Sequence, residues 1–425
     1  MRDSLPLLKS IPVLMLAFGA LTITGCDDDS SATDPDPDSE TTISGRVTDD
    51  SGFSKAGDVD DADVRAEEID EDGNRSPSSG ETTTDSDGRY SLKTDADARV
   101  MIVTATKGDF SSETIVVNHV DSDAVAAMDM NAETRAEARV YTEAKRMDDS
   151  AQPVTAADVA MYVDAETATR IESNNSSDAE VATALHSAVK GELMYLSDAN
   201  VSSSQIESAS NAKIAAFAAL QADIAAGSGT SGALDAFAST MADVYVDAGV
   251  DHTTSAEARQ TASLVITNLS GNLDSSARLA MRKRAELMAG LSTAAAIEAE
   301  FRAEGGMESE ANAIESAGIT LAASIAGAST DAEIEDAWAA FESETKAQLS
   351  AGITLGAALL QTVEASLLSL KTSFKDSIAA ASSVDTVVEL KAEYHADARV
   401  QIQNDLSTLA NAEFAARVLT LASAH

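Results

Sequence analysis

The stretch VATALHSAVKGEL, residues 181–193, places an apolar residue at every fourth position: Val181, Leu185, Val189 and Leu193. At 3.6 residues per turn these side chains share one face of a helix, and the intervening alanines widen that face. Residues 387–409 repeat the pattern. The spacing predicts that residues 132–425 form a large all-α domain, an antiparallel helical bundle or array of about ten helices joined by short turns.

Capping signals and helix-breaking segments set the expected helix limits. A Ser or Thr followed three residues later by Glu forms a capping box at an N-terminus. Four such boxes occur, at Ser177/Glu180, Ser204/Glu207, Thr254/Glu257 and Thr330/Glu333. Breaks are expected near residues 173–176, 227–232, 250–253, 271–273 and 305–306, with a sub-boundary near 227–232 or 305–306.

The hexamer SAGITL occurs twice in the helical region, at residues 316–321 and 350–355. A spacing in the thirties is typical of a duplicated helical hairpin. Alanine-rich amphipathic helices also resemble one another through composition alone. Both explanations remain open from the sequence.

Towards the N-terminus, residues 42–131 change to a period of two. Ile43 and Val47 alternate with polar residues, as do Tyr90 and Leu92, and residues 100–105 form a continuous apolar run. Asp-Gly and Ser-Gly turn signals separate these segments. The pattern predicts short strands packed as a β-sandwich, with residues 100–105 buried on both faces.

Several motifs in this region are similar to the carboxypeptidase regulatory-like domain. They are Gly45-x-Val47-x-Asp49, Ala62-Asp63-Val64 and the hairpin TDSDGRY at residues 84–90. The resemblance implies a seven-stranded, transthyretin- or Ig-like β-sandwich over residues 42–131, acting as a non-catalytic spacer or binding module. Related sandwiches bind carbohydrate, and here Phe53, Tyr90 and Phe110 are the aromatic residues available for it.

One insertion departs from that family. Between Gly57 and Val64 the chain adds carboxylates at Asp58, Asp60, Asp61 and Asp63. Carboxylate oxygens are the ligands that Ca²⁺ prefers, so this loop is a calcium candidate. Because no recognisable ligand spacing is present, a solvated acidic loop is the favoured interpretation, and no other cofactor or metal is expected.

The N-terminus resembles a bacterial lipoprotein signal. An apolar run over residues 11–21 leads into Ile23-Thr24-Gly25-Cys26, and Cys26 is the only cysteine of the chain. The resemblance implies export, cleavage of a signal peptide over residues 1–25, and lipidation of Cys26. Residues 26–41 then form an acidic, disordered tether. An ordinary secretory signal is the alternative.

The expected location is therefore the bacterial cell envelope, with the protein held at a membrane by its lipid. Asp27 fits the inner-membrane retention pattern of enterobacterial lipoproteins. That rule does not extend to all bacteria, so the choice between inner and outer membrane stays open.

Charge restricts the partners. The chain carries 29 basic and 71 acidic residues, a formal net charge of −42, which disfavours nucleic acid and anionic lipid headgroups. A solubility surface suited to a saline habitat is one explanation of this charge, and a sink for divalent cations is the other. The partners expected are the membrane, through the lipid anchor, and an envelope protein or a polysaccharide.

No catalytic motif stands out. GSGTSG at residues 227–232 matches a dinucleotide fingerprint, but it follows a predicted helix instead of a strand, which indicates an interhelical linker. The five histidines form no metal-binding pair. Arg278, Arg282, Lys283 and Arg284 form a basic cluster that we expect to pair with nearby carboxylates, with docking of an acidic ligand as the alternative.

Trp338 and Phe341 are predicted to be core residues, since they lie three apart beside Ile334. The leading hypothesis is a non-enzymatic envelope lipoprotein with a structural, adhesion or interaction role. The alternatives are a carbohydrate- or polymer-binding protein acting through the sandwich, and an enzyme whose site lies in the helical domain.

Overall fold

The computed structural model describes residues 41–49, 57–94, 100–118, 123–147, 154–226, 230–353 and 355–424. Cys26, its signal, the tether up to residue 40 and Phe53 lie outside the described residues. A region of strands precedes a region of helices, as predicted. The change from one to the other falls between Met130, which makes an isolated β-bridge to Val47, and Ala132, where the first helix begins.

The strands of the described residues form three sheets. Their bounds are β1 Thr41–Arg46, β2 Thr48–Asp49, β3 Gly57–Asp58, β4 Asp63–Ile69, β5 Arg75–Thr83, β6 Arg89–Thr94, β7 Val100–Lys107, β8 Phe110–Val117 and β9 Ala124–Ala126. One sheet has the order β6-β1-β9, a second pairs β2 with β3, and the largest has the order β5-β4-β7-β8. Among the strands described, β1 pairs with β9 in parallel and the other pairs are antiparallel.

The three-stranded and four-stranded sheets contribute to one apolar core. Ile43 and Leu92, which are register partners on β1 and β6, belong to the same buried cluster as Val64, Met101 and Val103 of the larger sheet. Exposed and buried residues alternate strictly along β6, which confirms the period of two. Residues 101–105 of β7 are all buried, as the continuous apolar run predicts.

The TDSDGRY hairpin forms a tight turn. Asp85 Oδ1 accepts hydrogen bonds from the amides of Asp87 and Arg89, each at 2.9 Å. Gly88 has φ 68°, and a Cβ there would lie 2.5 Å from the carbonyl oxygen of Val47. Only glycine fits this position, because both the positive φ and the close approach exclude a side chain.

Thirteen helices follow in the part of the chain that the structure describes. They are α1 Ala132–Met147, α2 Ala156–Tyr162, α3 Ala165–Glu172, α4 Asp178–Asp198, α5 Ser203–Ala225, α6 Thr230–Asp247, α7 His252–Leu269, α8 Ser275–Glu304, α9 Glu308–Gly327, α10 Asp331–Ile353, α11 Ala357–Ala379, α12 Val384–Asp405 and α13 Ala412–Ala422. The expected breaks at residues 173–176, 271–273 and 305–306 fall between helices, whereas residues 230–232 lie in the first turn of α6 and residues 252–253 begin α7. The expected count of about ten was too low, because short helices such as α2 and α3 carry little periodicity.

Two of the four capping predictions are confirmed. Ser177 caps α4 with Glu180 closing the box, and Thr330 accepts a hydrogen bond from the Glu333 amide at the start of α10. The other two are wrong. Ser202, with Gln205, caps α5 two residues before the predicted Ser204, and Asp251 caps α7 in place of Thr254.

The four-stranded sheet also packs against the helices. Gln221 on α5 donates from Nε2 to the carbonyl of Ile115 at 2.7 Å and accepts from the amide of Val117 at 3.1 Å. Both backbone groups belong to β8, so the side-chain amide continues the sheet's hydrogen-bonding pattern into the helical region. Ile102 and Ile115 lie in the same apolar cluster as residues of α1 and α5. A second large cluster lies among α7–α13.

Within the described ranges, none of the helices has both the length and the apolar character that a membrane span requires.

Candidate binding cleft and buried ionic clusters

A cleft of 420 Å³ lies among α7, α8, α10 and α11, and we call it the Trp338 cleft. Trp338 and Phe374 form part of its apolar lining, and Arg282, Lys371 and Lys375 bring cations to it. Its volume falls within the range of small-ligand pockets. Glu286, Glu335 and Asp336 line it as well, so three carboxylates accompany the three cations beside the apolar side chains.

Arg282 and Glu286 fix the back of the Trp338 cleft. They lie one turn apart on α8, and Arg282 Nε donates to Glu286 Oε1 at 3.4 Å. Trp338 Nε1 donates to the second oxygen, Glu286 Oε2, at 2.9 Å. Arg282 Nη1 also donates to Asp331 Oδ1 at 2.8 Å. The indole is therefore held in one orientation, and its exposed fraction is only 5%.

These contacts confirm two predictions. Arg282 pairs with carboxylates, and Arg284 lies 3.8 Å from Asp164, which confirms the expected pairing for these two residues of the basic cluster. For Arg278 and Lys283 the pairing stays a prediction. Trp338 and Phe341 are both buried and contact each other edge to face, with ring centroids 6.0 Å apart. They are core residues, as predicted.

Two lysines one turn apart on α11 form the opposite wall. Lys371 Nζ donates to Glu342 Oε2 at 3.1 Å, whereas Lys375 Nζ is 3.9 Å from Glu335 and its side chain is half exposed. Both lysines also line an adjoining cavity of 420 Å³ that includes Lys346. Burial favours the neutral form of Glu342, but Lys371 and Lys346 outweigh it and keep the pKa of Glu342 below its usual value.

A first buried ionic cluster joins α2, α4, α5 and α7, and we call it the Lys213 cluster. Lys213 Nζ lies 2.9 Å from Asp158 Oδ1 and 3.8 Å from Glu192 Oε2, while Arg259 Nη1 lies 2.5 Å from Glu192 Oε1. All four side chains are exposed by 4% or less. Two cations face two anions, so the cluster has no net charge.

The directions of the pKa shifts favour the ionised forms of Asp158 and Lys213. Burial opposes the charged form of Asp158, but Lys213 outweighs it and lowers the pKa of that carboxyl. Burial likewise opposes the ammonium of Lys213, but Asp158 outweighs it and raises the pKa of the lysine. Neither group exchanges a proton near neutral pH, so this cluster is suited to holding structure and not to acid–base chemistry.

A second buried cluster centres on Glu257 of α7. Its carboxylate accepts hydrogen bonds from Tyr195 Oη at 2.5 Å and from Arg399 Nη2 at 2.6 Å, and it lies 2.5 Å from His395 Nδ1. Burial opposes ionisation, but His395 and Arg399 outweigh it and lower the pKa of Glu257 to about 2. Burial lowers the pKa of His395 to about 4. At neutral pH a neutral imidazole therefore donates from Nδ1 to an ionised carboxylate.

The same region anchors the last helix. Lys391 Nζ donates to Gln260 Oε1 at 2.7 Å and to the carbonyl of Ala424 at 3.0 Å, just beyond α13. Gln260 Nε2 donates to the carbonyl of Leu421 at 3.1 Å. Burial lowers the pKa of Lys391 to about 7. Two interior side chains thus satisfy carbonyls at the C-terminal end of α13, which a helix end otherwise leaves unpaired.

Sequence reasoning missed both buried clusters. The sequence pattern places Glu257 in a capping box with Thr254, but Asp251 caps α7 in place of Thr254 and Glu257 contacts His395 in the interior. A signal was present, because Lys213 and Lys391 interrupt apolar helix faces. Lys213 stands four residues before Phe217, and Lys391 stands three before Tyr394. A charge at a core position indicates a buried partner, although it does not say which one.

The calcium candidates make other contacts. Asp58 pairs with Arg46, the carbonyl of Asp60 accepts a hydrogen bond from Lys107, and Asp61 occupies a left-handed turn position with φ 54°. Asp63 is exposed at the start of β4. In the ranges that the structure describes, no three His, Cys, Asp or Glu side chains converge as a metal site would require.

The other sequence candidates are placed as follows. Gly227 and Gly229 of the fingerprint lie outside the described residues, and α5 precedes them as the predicted helix. Tyr90 is buried in the sheet core and Phe110 is partly buried against it, so neither is an exposed platform for a sugar ring.

Comparison of the chain with protein-family models, with curated proteins and with solved structures finds no match in any of the three.

Proposed function

We propose that this protein is a lipid-anchored protein of the bacterial cell envelope with a non-catalytic interaction role, and that the Trp338 cleft contacts its partner. The lipobox ending in Cys26 supports the anchor and the location. The inner and outer membranes are equally compatible with it. The acidic balance of the chain argues for a protein or polysaccharide partner and against nucleic acid.

The main support for an interaction role is that the polar groups of the Glu257 cluster are buried, whereas Lys375 at the Trp338 cleft is accessible. The clusters that resemble catalytic arrangements are sealed, with His395 and Glu257 exposed by only 4% and 8%. Lys375 at the Trp338 cleft is 50% exposed and only loosely paired. Accessible charged side chains beside a fixed, apolar lining suit recognition of a partner, whereas proton transfer requires the buried groups to reach a substrate.

We infer further that the strand region is a seven-stranded sandwich of the carboxypeptidase regulatory-like type, acting as a spacer. The sheets β6-β1-β9 and β5-β4-β7-β8 together hold seven strands and share one core, which supports this assignment. The burial of Tyr90 makes carbohydrate recognition by its sheet face the less favoured alternative.

Site-specific photo-crosslinking in the native envelope tests the interaction role. Ala339 is exposed, lines the Trp338 cleft, and can be replaced by p-benzoylphenylalanine in the full-length protein. We expect a discrete crosslinked product, and we expect Lys375→Glu to weaken it several-fold because it reverses the accessible charge. Since Lys375 is half exposed, that substitution should leave the fold intact.

The control places the same photoreactive residue at Ser239, which is exposed on α6. The same products from both positions, or no product from Ala339, would contradict a role for the cleft. A product with a polysaccharide in place of a protein would identify the partner class and retain the cleft.

A further inference from the structure

A second cavity, of 300 Å³, lies beside the Lys213 cluster among α4, α5 and α6, and we call it the α5 cavity. One wall is a polar stripe on α5 made of Ser203, Glu207, Ser210 and Lys213, spaced four, three and three residues apart. Along this stripe the residues pass from exposed at Ser203 and Glu207, through half-buried at Ser210, to buried at Lys213. The stripe therefore leads from solvent to the buried ionic cluster.

A buried hydroxyl without a partner lies at the inner end. Tyr245 on α6 lines the α5 cavity and is fully buried, and its Oη has no hydrogen-bond partner among the described residues. Its ring faces two cations, Lys213 Nζ at 5.2 Å and Arg259 at 4.8 Å from the centroid, so the aromatic body is held in place. Buried hydroxyls nearly always have a partner, and the adjoining cavity is where that partner would sit.

The charges around the inner end favour a neutral occupant. An anion approaching Lys213 would also meet Asp158, 2.9 Å from the ammonium, and Glu192, 3.8 Å from it. A cation would meet Lys213 and Arg259, which are already paired. The cluster is electrically balanced, so either kind of ion would disturb the pairing, whereas a neutral polar group would not.

The remaining lining specifies the shape of that occupant. Val189 and Leu193 of α4 and Ile206 of α5 give an aliphatic wall, opposite the hydroxyls and the Glu207 carboxylate. A molecule with C–H groups on one face and hydroxyls at its edge matches this combination. The Glu207 carboxylate can accept hydrogen bonds from two neighbouring hydroxyls at once.

We propose that the α5 cavity binds a small neutral polyhydroxylated molecule, the size of one monosaccharide, with Tyr245 Oη and Glu207 as its main polar contacts. This site is separate from the Trp338 cleft and does not depend on the interaction role proposed above.

Titration calorimetry on the full-length protein tests the proposal with D-glucose, D-galactose and myo-inositol as neutral probes, and with glucuronate and glucosamine as charged ones. We expect saturable binding of at least one neutral probe, with the charged analogues about tenfold weaker. Tyr245→Phe should weaken binding about tenfold, as expected for loss of one buried hydrogen bond. Glu207→Gln should also weaken binding, because the amide offers one acceptor oxygen in place of two.

Tyr162→Phe is the matched control. Tyr162 also has a buried, unpartnered hydroxyl near the Lys213 cluster, but it is not among the residues that line the α5 cavity. Its loss should leave binding unchanged, and thermal unfolding should show that both Tyr→Phe variants remain folded. Absence of saturable binding by every neutral probe, tighter binding of a charged analogue, or an equal loss in Tyr162→Phe would overturn the proposal and leave a cavity filled by water.

Discussion

Glu257 of α7 is a single buried residue that joins three helices of the helical region. Three side chains from α4 and α12 surround its carboxylate: Tyr195, His395 and Arg399. Arg399 neutralises the charge, so His395 can stay neutral and serve as a donor. Tyr195 is the hydrogen-bond donor to Oε2, whereas His395 and Arg399 share Oε1, so both carboxylate oxygens are satisfied and the arrangement constrains how these helices pack.

His395 should make the protein sensitive to mild acid. Its pKa is about 4 in the folded protein, against 6.5 for an ordinary histidine. As pH falls from 6.5 to 4 the unfolded chain binds a proton that the folded protein does not, so the free energy of unfolding decreases, by up to about 3 kcal/mol. His395→Asn keeps an N–H donor towards Glu257 and removes the titration. Urea unfolding between pH 7.5 and 4.5 should show a flatter pH dependence for the variant.

Parallel curves for the two proteins over that interval would contradict a neutral buried imidazole. Glu257 contributes to the pH dependence of the free energy of unfolding only at lower pH, since its pKa is about 2 in the fold and 4.5 in the reference state. Its effect is therefore separable from that of His395.

For single residues, the sequence predicted burial, ion pairing and helix capping. Trp338 and Phe341 as core, Arg282 and Arg284 as paired cations, and the Ser177 and Thr330 caps are all confirmed. The partners of Glu257 could not be predicted, because His395 stands 138 residues away along the chain. Local patterns do not report which distant element meets a given helix face.

Elements of this protein are joined by polar side chains as well as by apolar contacts. The Lys213 cluster ties α2, α4, α5 and α7 together, and Gln221 ties α5 to β8. In both cases the polar group is buried and paired, so the contact has a defined geometry that apolar packing alone would not impose.

Arg259 and Glu192 should be strongly coupled. Arg259→Met leaves Glu192 buried without its nearest cation, which we expect to cost about 3–5 kcal/mol in the free energy of unfolding. The double variant Glu192→Met/Arg259→Met removes both charges and should recover at least half of that loss. Chemical denaturation of the two single variants and the double variant gives the coupling energy, and additive losses would contradict a paired cluster.

Gln221 should stabilise the junction between the sheet and α5. Gln221→Met leaves the carbonyl of Ile115 and the amide of Val117 without this buried partner, and we expect a loss of about 2–4 kcal/mol. Hydrogen exchange at the Val117 amide should accelerate in the same variant. Gln348→Met is the control, since Gln348 bonds to Glu344 of the same helix at the surface and its replacement should change stability by less than about 0.5 kcal/mol.

If the Val117 amide exchanges equally fast in both variants, Gln221 does not join the two elements. Periodicity predicted the strand β7 and the long helices, and three of the five expected breaks, at residues 173–176, 271–273 and 305–306, fall entirely between helices. The sequence did not predict the short helices α2 and α3, nor that Ser202 caps α5 instead of Ser204. Competing polar residues near a helix start are distinguished only by which hydroxyl meets the free amides.

The whole molecule carries a net charge of −42, which opposes its compact state. Salt should therefore stabilise it: raising NaCl from about 0.05 M to about 1 M shortens the Debye length from roughly 14 Å to roughly 3 Å and should raise Tm by about 5 °C or more. Differential scanning calorimetry measures this. An unchanged or lower Tm would contradict self-repulsion as a significant term.

Calcium chloride at matched ionic strength separates the two explanations of the charge. Equal shifts in Tm with Na⁺ and Ca²⁺ indicate screening of a solubility surface, whereas a clearly larger shift with Ca²⁺ at millimolar concentration indicates specific divalent binding.

The sequence predicted the order of strand and helix regions. It could not predict that β8 would be docked on α5, because Gln221 and Ile115 are 106 residues apart.

Anchoring through Cys26 is the claim on which the proposed role rests most directly, and metabolic labelling tests it in one step. Cells expressing the full chain or its Cys26→Ser variant are grown with labelled palmitate, and the protein is then recovered from membrane and soluble fractions. The account predicts a labelled protein in the membrane fraction whose mature chain starts at residue 26, and an unlabelled variant. An unlabelled wild-type protein, or a mature N-terminus at another residue, would contradict it.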